Sequence, residues 1–319
     1  MRTELLKTDT EGIEQAAATL RRGGLVAFPT ETVYGLGADA RRDSAVLEIF
    51  RVKGRPADNP LIVHVRNNVE AGQIGRFDAL TLKLAEHFWP GPMTLVLPLR
   101  QGAGLSRHVL AGHPTVAIRV PSHSVARALL EAFDGPVAAP SANLSSRISP
   151  TRTCHVVRDL GGAIPALLDG GDCQLGIEST ILAASTDELT MLRPGAVTAE
   201  EILQVTGIRP RMTGSPDAPG SPGQLPLHYA PASRLRLRAT DTEADEISVG
   251  FGPDCGDKDM NLSLTGDLNE AAANLYAALS TADEMAKSKA AGIAVSPIPD
   301  TGLGRAINDR LRRGTGNNG

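Results

Sequence analysis

Apolar and polar positions alternate along the first two thirds of the chain with two distinct periods. Ile13, Ala16, Ala17 and Leu20 recur at helical spacing, and Gly23 and Gly24 follow them, which predicts a helix over 9–22. Further helices are predicted at 42–52, 79–88, 124–133, 151–160 and 199–205. Short apolar runs predict strands at 25–28, 61–65, 94–99, 115–120, 136–139, 179–184 and 189–193. This mixture is typical of an α/β fold with a central sheet, whose strand order the pattern does not give.

A proline-rich segment at 209–231 separates this region from the rest. Its six prolines are incompatible with a regular helix or a central strand, so it is predicted to be a linker. Beyond it, strands are expected at 234–238, 247–251 and 294–297, with helices at 268–289 and 304–313. We therefore divide the chain into a catalytic domain (1–208), a linker (209–231) and a smaller α/β domain (232–319), whose tail at 314–319 is expected to fray.

Composition narrows the class of protein. The 32 basic and 36 acidic residues give a net charge of −4, and aromatic residues make up 3%, which argues against a surface built for general nucleic-acid binding. No apolar stretch approaches the length of a membrane span, and the first residues do not resemble a signal peptide. Cys154, Cys173 and Cys255 are an odd set without Cys-x-x-Cys spacing, so free thiols in the cytoplasm are expected.

Common catalytic motifs are absent: the sequence has no phosphate-binding P-loop, no Gly-x-Gly-x-x-Gly, no Gly-x-Ser-x-Gly and no His-Glu-x-x-His. The seven histidines lack metal-ligand spacing, so no metal site built from protein side chains is predicted. Instead, polar segments follow the short strands, where α/β proteins place ligands. They are 29–37, 53–60, 138–150, 176–181 and 192–195, together with Arg119 inside a strand.

These segments carry cations and hydroxyls rather than a nucleophile and its base. Lys53 and Arg55 suit a polyphosphate, although a solvated basic loop explains them equally simply. Arg119 lies in an apolar strand and needs an anionic partner, either a structural carboxylate or a ligand. The loop at 138–150 offers Ser141, Asn143, Ser145 and Ser149. Together they indicate binding and positioning of anions, as in phosphoryl or nucleotidyl transfer.

The motifs resemble the YrdC-type threonylcarbamoyl-AMP synthases in their long, two-domain form. The matching segments are Pro29-Thr-Glu-Thr-Val-Tyr-Gly-Leu36, Lys53-Gly-Arg-Pro56, Asn59-Pro-Leu61, Trp89-Pro-Gly-Pro-Met-Thr94, Pro140-Ser-Ala-Asn143, Ser149-Pro-Thr151, Glu178-Ser-Thr-Ile181, Ser221-Pro-Gly223, His228-Tyr-Ala-Pro231 and Thr301-Gly-Leu-Gly-Arg-Ala-Ile-Asn-Asp-Arg310. The resemblance implies a twisted mixed sheet flanked by helices, a linker and a smaller Rossmann-like α/β domain.

The resemblance also implies a reaction and a site. L-Threonine, bicarbonate and ATP, with Mg²⁺ carried by ATP, would give L-threonylcarbamoyl-AMP and pyrophosphate. A separate transferase would use this product to modify adenosine 37 of tRNA, and tRNA itself would not be required. Threonine would be held by Thr32, His64, Arg119, Ala139 and Ser179. ATP would be held by Lys53, Arg55, Asn59, Thr115, Ser141, Asn143, Ser149, Arg193 and Tyr229, with Lys53 and Arg55 as the catalytic cations facing the phosphates.

Two departures and two alternatives accompany this interpretation. Ser146 stands where the family often has Gly, which leaves a positive-φ turn there open, and the uncharged stretch 224–227 gives no charge contact to the phosphates. We hypothesise that the linker closes over the pocket as a lid. The main alternative is a double-stranded RNA-binding module without synthase activity. A carbamoyl-adenylate domain using carbamoyl phosphate is disfavoured, because such domains belong to much longer chains.

Overall fold

The structure is a computed structural model that describes residues 2–185, 188–212 and 228–315. Within these residues the chain forms two sheets, one of eleven strands and one of four. Three free cysteines are present, of which Cys173 is buried and Cys154 is exposed. In the same ranges, no helix combines the length and the apolar character needed to cross a membrane.

The large sheet forms the centre of the first domain and is mixed. Its strands in chain order are β1 (Glu4–Leu6), β2 (Val26–Phe28), β3 (Gly35–Asp39), β4 (Ile62–His64), β5 (Met93–Pro98), β6 (Thr115–Arg119), β7 (Val137–Ala138), β8 (Ala166–Leu168), β9 (Thr180–Ser185), β10 (Glu188–Arg193) and β11 (Arg211–Met212). Their spatial order is β1-β8-β2-β3-β7-β4-β6-β5-β9-β10-β11. Strands β4 and β6 are parallel neighbours, with His64 opposite Arg119. Two residues predicted as ligands therefore lie side by side at the carboxyl ends of two neighbouring strands.

Helices cover this sheet. They are α1 (Thr10–Arg21), α2 (Asp43–Lys53), α3 (Asn68–Ile74), α4 (Ala79–Phe88), α5 (Arg107–Leu110), α6 (Ser124–Phe133), α7 (Thr153–Leu160) and α8 (Ala199–Thr206). Asp9 caps α1 by accepting a hydrogen bond from the Gly12 amide at 2.9 Å. The face of α1 that the spacing predicted is buried and packs with α6 and Phe28 in a shared apolar cluster. Burial of this amphipathic face holds the helix on the sheet.

The predicted elements of the first domain are confirmed, and their ends differ by no more than two residues. The prediction missed β1, β3, β8, α3 and α5, as well as β11, which begins within the segment predicted to be a linker. Strand β3 was placed in a polar loop because Gly35 and Gly37 are poor strand formers. Glycine is required at 37, since a Cβ there would lie 2.8 Å from the Phe28 ring and 2.9 Å from Val137. The close packing of Phe28 against β3 therefore explains the glycines.

The second domain is a parallel four-stranded sheet with helices. Its strands are β12 (Leu235–Arg236), β13 (Glu246–Gly250), β14 (Met260–Asn261) and β15 (Gly292–Val295), in the order β12-β15-β13-β14. The helices are α9 (Leu268–Lys289) and α10 (Gly304–Gly314), with a 3₁₀ turn at Pro253–Cys255. The Rossmann-like prediction is confirmed, except that β14, a two-residue strand, was missed. The predicted tail beyond Thr315 and the linker stretch 213–227 lie outside the described residues.

The two domains share a core. Val33, Ile148 and Ile177 of the first domain belong to the same apolar cluster as Tyr276 and the other buried residues of α9. Gly176 allows the approach of α9, because a Cβ at this residue would lie 2.5 Å from the carbonyl oxygen of Ala272. The contact places α9 and α10 directly behind the segment that leads into β9.

Candidate active site

A cleft of about 550 Å³, its open mouth included, lies where β4, β6 and β7 end and where the loops after β2 and β7 meet the segment that leads into β9. Nine of the residues predicted as ligands line it: Thr32, His64, Arg119, Ala139, Ser179, Arg55, Ser141, Arg193 and Tyr229. The other five predicted residues, Lys53, Asn59, Thr115, Asn143 and Ser149, stand behind or beside this lining.

Arg119 is held at one end of the cleft by Glu31, by Thr32 and by the Gly91 carbonyl, which accepts from its Nε atom at 3.3 Å. Its guanidinium forms an ion pair with Glu31 at 2.6 Å and donates to the Thr32 hydroxyl at 2.9 Å. Both side chains of the ion pair are about 4% exposed. Burial alone would raise the pKa of Glu31, but the charge and hydrogen bond of Arg119 outweigh burial and lower it. Arg119 therefore has the structural carboxylate partner that the sequence left open, while it still faces the cleft.

His64 lies beside Arg119 and remains uncharged. Burial, together with the nearby charge of Arg119, lowers the pKa of His64 to about 3. Its Nδ1 atom is buried and has no hydrogen-bond partner among the described residues. Ser179 completes this end, with its hydroxyl 2.8 Å from that of Thr94. A cation, a neutral imidazole and hydroxyls next to one another can bind the carboxylate and the amine of an amino acid.

Arg55 occupies the opposite end of the cleft. It donates to the Asn59 Oδ1 atom at 2.6 Å and to the Pro60 carbonyl at 2.8 Å, and it forms no ion pair with any described carboxylate. Burial, with a smaller contribution from the charge of Arg193, lowers the pKa of Arg55 to about 10. Pro60 and His64 are four residues apart along the chain that forms β4, so their backbones are at most about 13 Å apart. A buried, uncompensated arginine at this end marks an anion site.

Lys53 ends helix α2 and is directed at the loop after β7. Its Nζ atom donates to the Ser141 carbonyl at 2.6 Å and to the carbonyl and Oδ1 atoms of Asn143. Burial lowers the pKa of Lys53 well below its usual value. The Ser141 hydroxyl in turn donates to Asn143 Oδ1 at 2.6 Å. In this structure Lys53 therefore orders the loop that lines the cleft rather than lining the cleft itself.

Thr115 and Asn59 do not line the cleft: Thr115 lies at the far end of β6, and Asn59 lies behind Arg55. Thr115 begins β6 and pairs with Pro98, at the opposite end of the strand from Arg119. Asn59 is buried behind Arg55, and its Nδ2 atom has no partner in the described part of the chain. Both are on the Arg55 side of the cleft, because β6 runs parallel to β4.

The loop that follows Asn143 contains a left-handed turn. Ser146 has φ of +68°, so the positive-φ turn that the sequence left open is present, with Ser at this position. An L-residue in this region is strained, and Gly is not. We expect Ser146→Gly to raise the free energy of unfolding by about 0.5–1 kcal/mol, measured by thermal unfolding. Ser145→Gly, at a neighbour without positive φ, should lower it, and the opposite ranking would contradict this account of the turn.

The end of the predicted linker forms one wall of the cleft. His228 and Tyr229 line it and are buried, with ring centroids 4.0 Å apart. The Tyr229 hydroxyl and His228 Nδ1 have no hydrogen-bond partners within residues 2–185, 188–212 and 228–315. The Ala230 amide donates to the Ser146 carbonyl at 2.9 Å, which ties this segment to the loop after β7. Buried polar atoms that face a cleft without partners are available to a ligand.

Sequence reasoning missed four residues that shape the site. Glu31, Glu178 and Arg310 appeared in the motifs without a role, and Tyr276 of the second domain was not considered. The Ser149 hydroxyl donates to Glu178 at 2.6 Å rather than into the cleft. One signal was available: Arg310 lies three residues after Ile307 and four after Ala306, on the buried face of α10.

Metal ligation by the protein finds no support in this arrangement. Among the described residues, no group of three or more His, Cys, Asp or Glu could hold a metal ion. The two carboxylates at the cleft, Glu31 and Glu178, are both engaged by arginines. A divalent cation would fit this cleft only if the phosphates of a bound ligand coordinated it.

Comparison with known proteins places this fold and cleft in one class. The family model of the Sua5, YciO and YrdC proteins, described as "Telomere recombination", matches residues 18–195. The model described as "Threonylcarbamoyl-AMP synthase, C-terminal domain" matches residues 197–316. The chain therefore has both domains of the long form, with a YrdC-type first domain.

Individual relatives agree with this class. The threonylcarbamoyl-AMP synthase of Bacillus subtilis is 40% identical, over 98% of this chain and 96% of the relative. That of Pyrococcus abyssi is 38% identical, over 95% and 94%. The crystal structure of P. abyssi Sua5 complexed with L-threonine matches with a TM-score of 0.89 and 35% identity, over 98% of each chain. The chain belongs to the threonylcarbamoyl-AMP synthase family, a family of nucleotidyltransferase enzymes, and the RNA-binding alternative has no support.

Proposed function

We propose that the cleft binds L-threonine at its Arg119 end and ATP at its Arg55 end and joins them through bicarbonate. The observation that carries the proposal is the presence of two buried arginines in one cleft, one beside a neutral histidine and one with no carboxylate partner among the described residues. The similarity to a relative whose structure holds L-threonine supports the first assignment.

The threonine carboxylate would bind the guanidinium of Arg119, and its hydroxyl and amine would face Thr32, Ser179 and the backbone of Ala139. Neutral His64 would accept a hydrogen bond from the amine through its Nδ1 atom, which has no partner in the described chain. An uncharged imidazole avoids repulsion with the amino group of threonine and leaves Nδ1 able to accept its hydrogen bond.

ATP would extend from the Arg55 end along the loop after β7. Arg55 and Arg193 supply positive charge, and Ser141 and Tyr229 line the same region. We retain Lys53, Asn59, Thr115, Asn143 and Ser149 as residues that shape this half from behind the lining. Lys53 would act on the phosphates only if the carbonyls that now hold it release it.

The chemistry would proceed in two steps. The threonine amine attacks the carbon of bicarbonate, and water leaves to give a carbamate. A carbamate oxygen then attacks the α-phosphorus of ATP, the bond to the β-phosphate oxygen breaks, and pyrophosphate departs. Arg55 stabilises the charge that develops on the leaving group. Mg²⁺ would arrive with ATP and supply further charge neutralisation.

Closure over the cleft would protect the carbamate from loss of CO₂. We propose the linker at 209–231 as the lid, since His228 and Tyr229 at its end already form a wall. With this lid, residues 1–208 form the catalytic domain and residues 232–319 form the second domain.

The product would pass to a separate transferase that modifies adenosine 37 of tRNA. We propose that this takes place in the cytoplasm and that tRNA is not required for the synthase step.

The test is pyrophosphate release from ATP and bicarbonate, measured with and without L-threonine and with L-serine as the control. We expect release that depends on threonine, together with threonylcarbamoyl-AMP identified by mass spectrometry. Equal release with serine, or release that does not need bicarbonate, would contradict the proposed substrates.

A further inference from the structure

Glu178 lies at the junction of the two domains and at the wall of the cleft. Its side chain is 6% exposed, and it accepts hydrogen bonds from the Ser149 hydroxyl at 2.6 Å and from the Tyr276 hydroxyl at 2.9 and 3.0 Å. Its ion pair is with Arg310, whose Nε atom is 2.7 Å away. Two of these three partners come from the second domain, so that domain supplies the positive charge that compensates a carboxylate of the cleft.

Arg310 contacts three parts of the site from behind. Besides Glu178, it donates through Nη2 to the Pro194 carbonyl at 2.8 Å, next to Arg193. Its guanidinium carbon lies 5.0 Å from the centre of the Tyr229 ring, within the range of a cation–π contact. The Arg310 side chain is fully buried and does not line the cleft.

We propose that Arg310 is a positioning residue for the ATP half of the reaction, and that the second domain completes the active site by holding Glu178 and the Tyr229 ring in place. The proposal rests on the placement of ATP given above. Arg310 would act only through its neighbours, because Glu178 fixes the Ser149 hydroxyl and Tyr229 lines the cleft.

The electrostatics indicate what the loss of Arg310 would do. The titratable or charged groups around Glu178 are Arg310, Arg193, Tyr229, Tyr276 and His228. Burial alone raises the pKa of Glu178, and the charges of Arg310 and then Arg193 lower it to about 2. Burial keeps both tyrosines and His228 uncharged. Without Arg310, Arg193 and the Ser149 hydrogen bond would still oppose burial but the largest opposing charge would be gone, so the Glu178 pKa would rise and the carboxylate would take up a proton as the pH falls.

The first test compares Arg310→Gln with Arg305→Gln in the full chain. Arg305 lies on the same helix and also pairs across the domains, with Glu200 at 2.8 Å, but away from the cleft. For Arg310→Gln we expect the KM for ATP to rise at least about tenfold, the KM for threonine to change less than about threefold, and kcat/KM for ATP to fall on the acid side of neutrality. Arg305→Gln should behave as the unmodified chain.

A second pair of variants separates positioning from folding. Glu178→Gln combined with Arg310→Gln should lack the acid-side fall, because no carboxylate remains to titrate. Tyr276→Phe, which removes one hydroxyl, should raise the KM for ATP about threefold. If Arg310→Gln shows no cooperative unfolding transition and is therefore not folded, the result for Tyr276→Phe tests the proposal in its place. An unchanged KM for ATP in the variants that fold, or an equal effect of Arg305→Gln, overturns the proposal. A rise in the KM for threonine alone would overturn the placement of ATP. If the unmodified chain showed no threonine-dependent release of pyrophosphate, the proposed function itself would be contradicted.

Discussion

Arg119→Met is expected to lower kcat/KM for threonine at least about a hundredfold and to leave the KM for ATP within about threefold. The guanidinium is the buried cation at the threonine end, and it already donates to Thr32 and pairs with Glu31. Methionine keeps the bulk of the side chain but cannot bind a carboxylate. The measurement is the initial rate of pyrophosphate release, with threonine and ATP varied in turn.

The same substitution should also destabilise the fold, for a separate reason. It leaves Glu31 buried without a counterion, which costs about 3–5 kcal/mol in the free energy of unfolding. The control combines Glu31→Gln with Arg119→Met, which makes the pair neutral. The amide oxygen introduced at position 31 would still accept from the backbone amides of Ser122 and His123. We expect this double variant to regain stability but not the use of threonine, and recovery of both would mean that Arg119 only supports the fold.

Arg55→Gln should show the converse pattern, with the KM for ATP raised at least about fiftyfold and the KM for threonine nearly unchanged. Arg55 donates to neutral oxygen atoms of Asn59 and Pro60, so its charge is free to bind phosphate. Because it has no carboxylate partner among the described residues, its removal should change the free energy of unfolding by less than about 1 kcal/mol, unlike the removal of Arg119.

Arg51→Gln is the matched control for Arg55. Arg51 lies in helix α2, four residues before Arg55, and is exposed, where it pairs with Glu48 at 2.6 Å. Its replacement should affect neither Michaelis constant. If Arg55→Gln kept the KM for ATP within about threefold, the anion site would have to lie elsewhere in the cleft.

The fold was predictable where an element has its own hydrophobic period. Helices α1 and α9 have caps and an apolar stripe, and β6 is a continuous apolar run, so all three were found. Strands β1 and β8 have three residues each and are defined by pairing with each other, with Glu4 opposite Ala166. Such strands have no local signal, since their register is set by the neighbour they meet.

The candidate site was also predictable only in part. Polar residues that follow strands, such as Thr32 and Ser141, were found because α/β proteins bind ligands beyond the carboxyl ends of their strands. Three facts depended on tertiary structure instead: that Glu31 pairs with Arg119, that Lys53 bonds to loop carbonyls, and that Glu178 pairs with Arg310. A partner distant in the sequence leaves no spacing pattern in one chain.

The pair of Glu178 with Arg310 has a consequence for how the protein is made. The two residues are 132 positions apart, and the arginine is on the last helix described. At about 5–20 residues per second, a ribosome adds that stretch in about 7–26 s. Throughout that interval the nascent first domain has its carboxylate without its counterion. If Arg310 positions the site as proposed, the cleft is completed only after α10 has been translated, and a polypeptide cut short before this helix would have every motif of the first domain but not the assembled site.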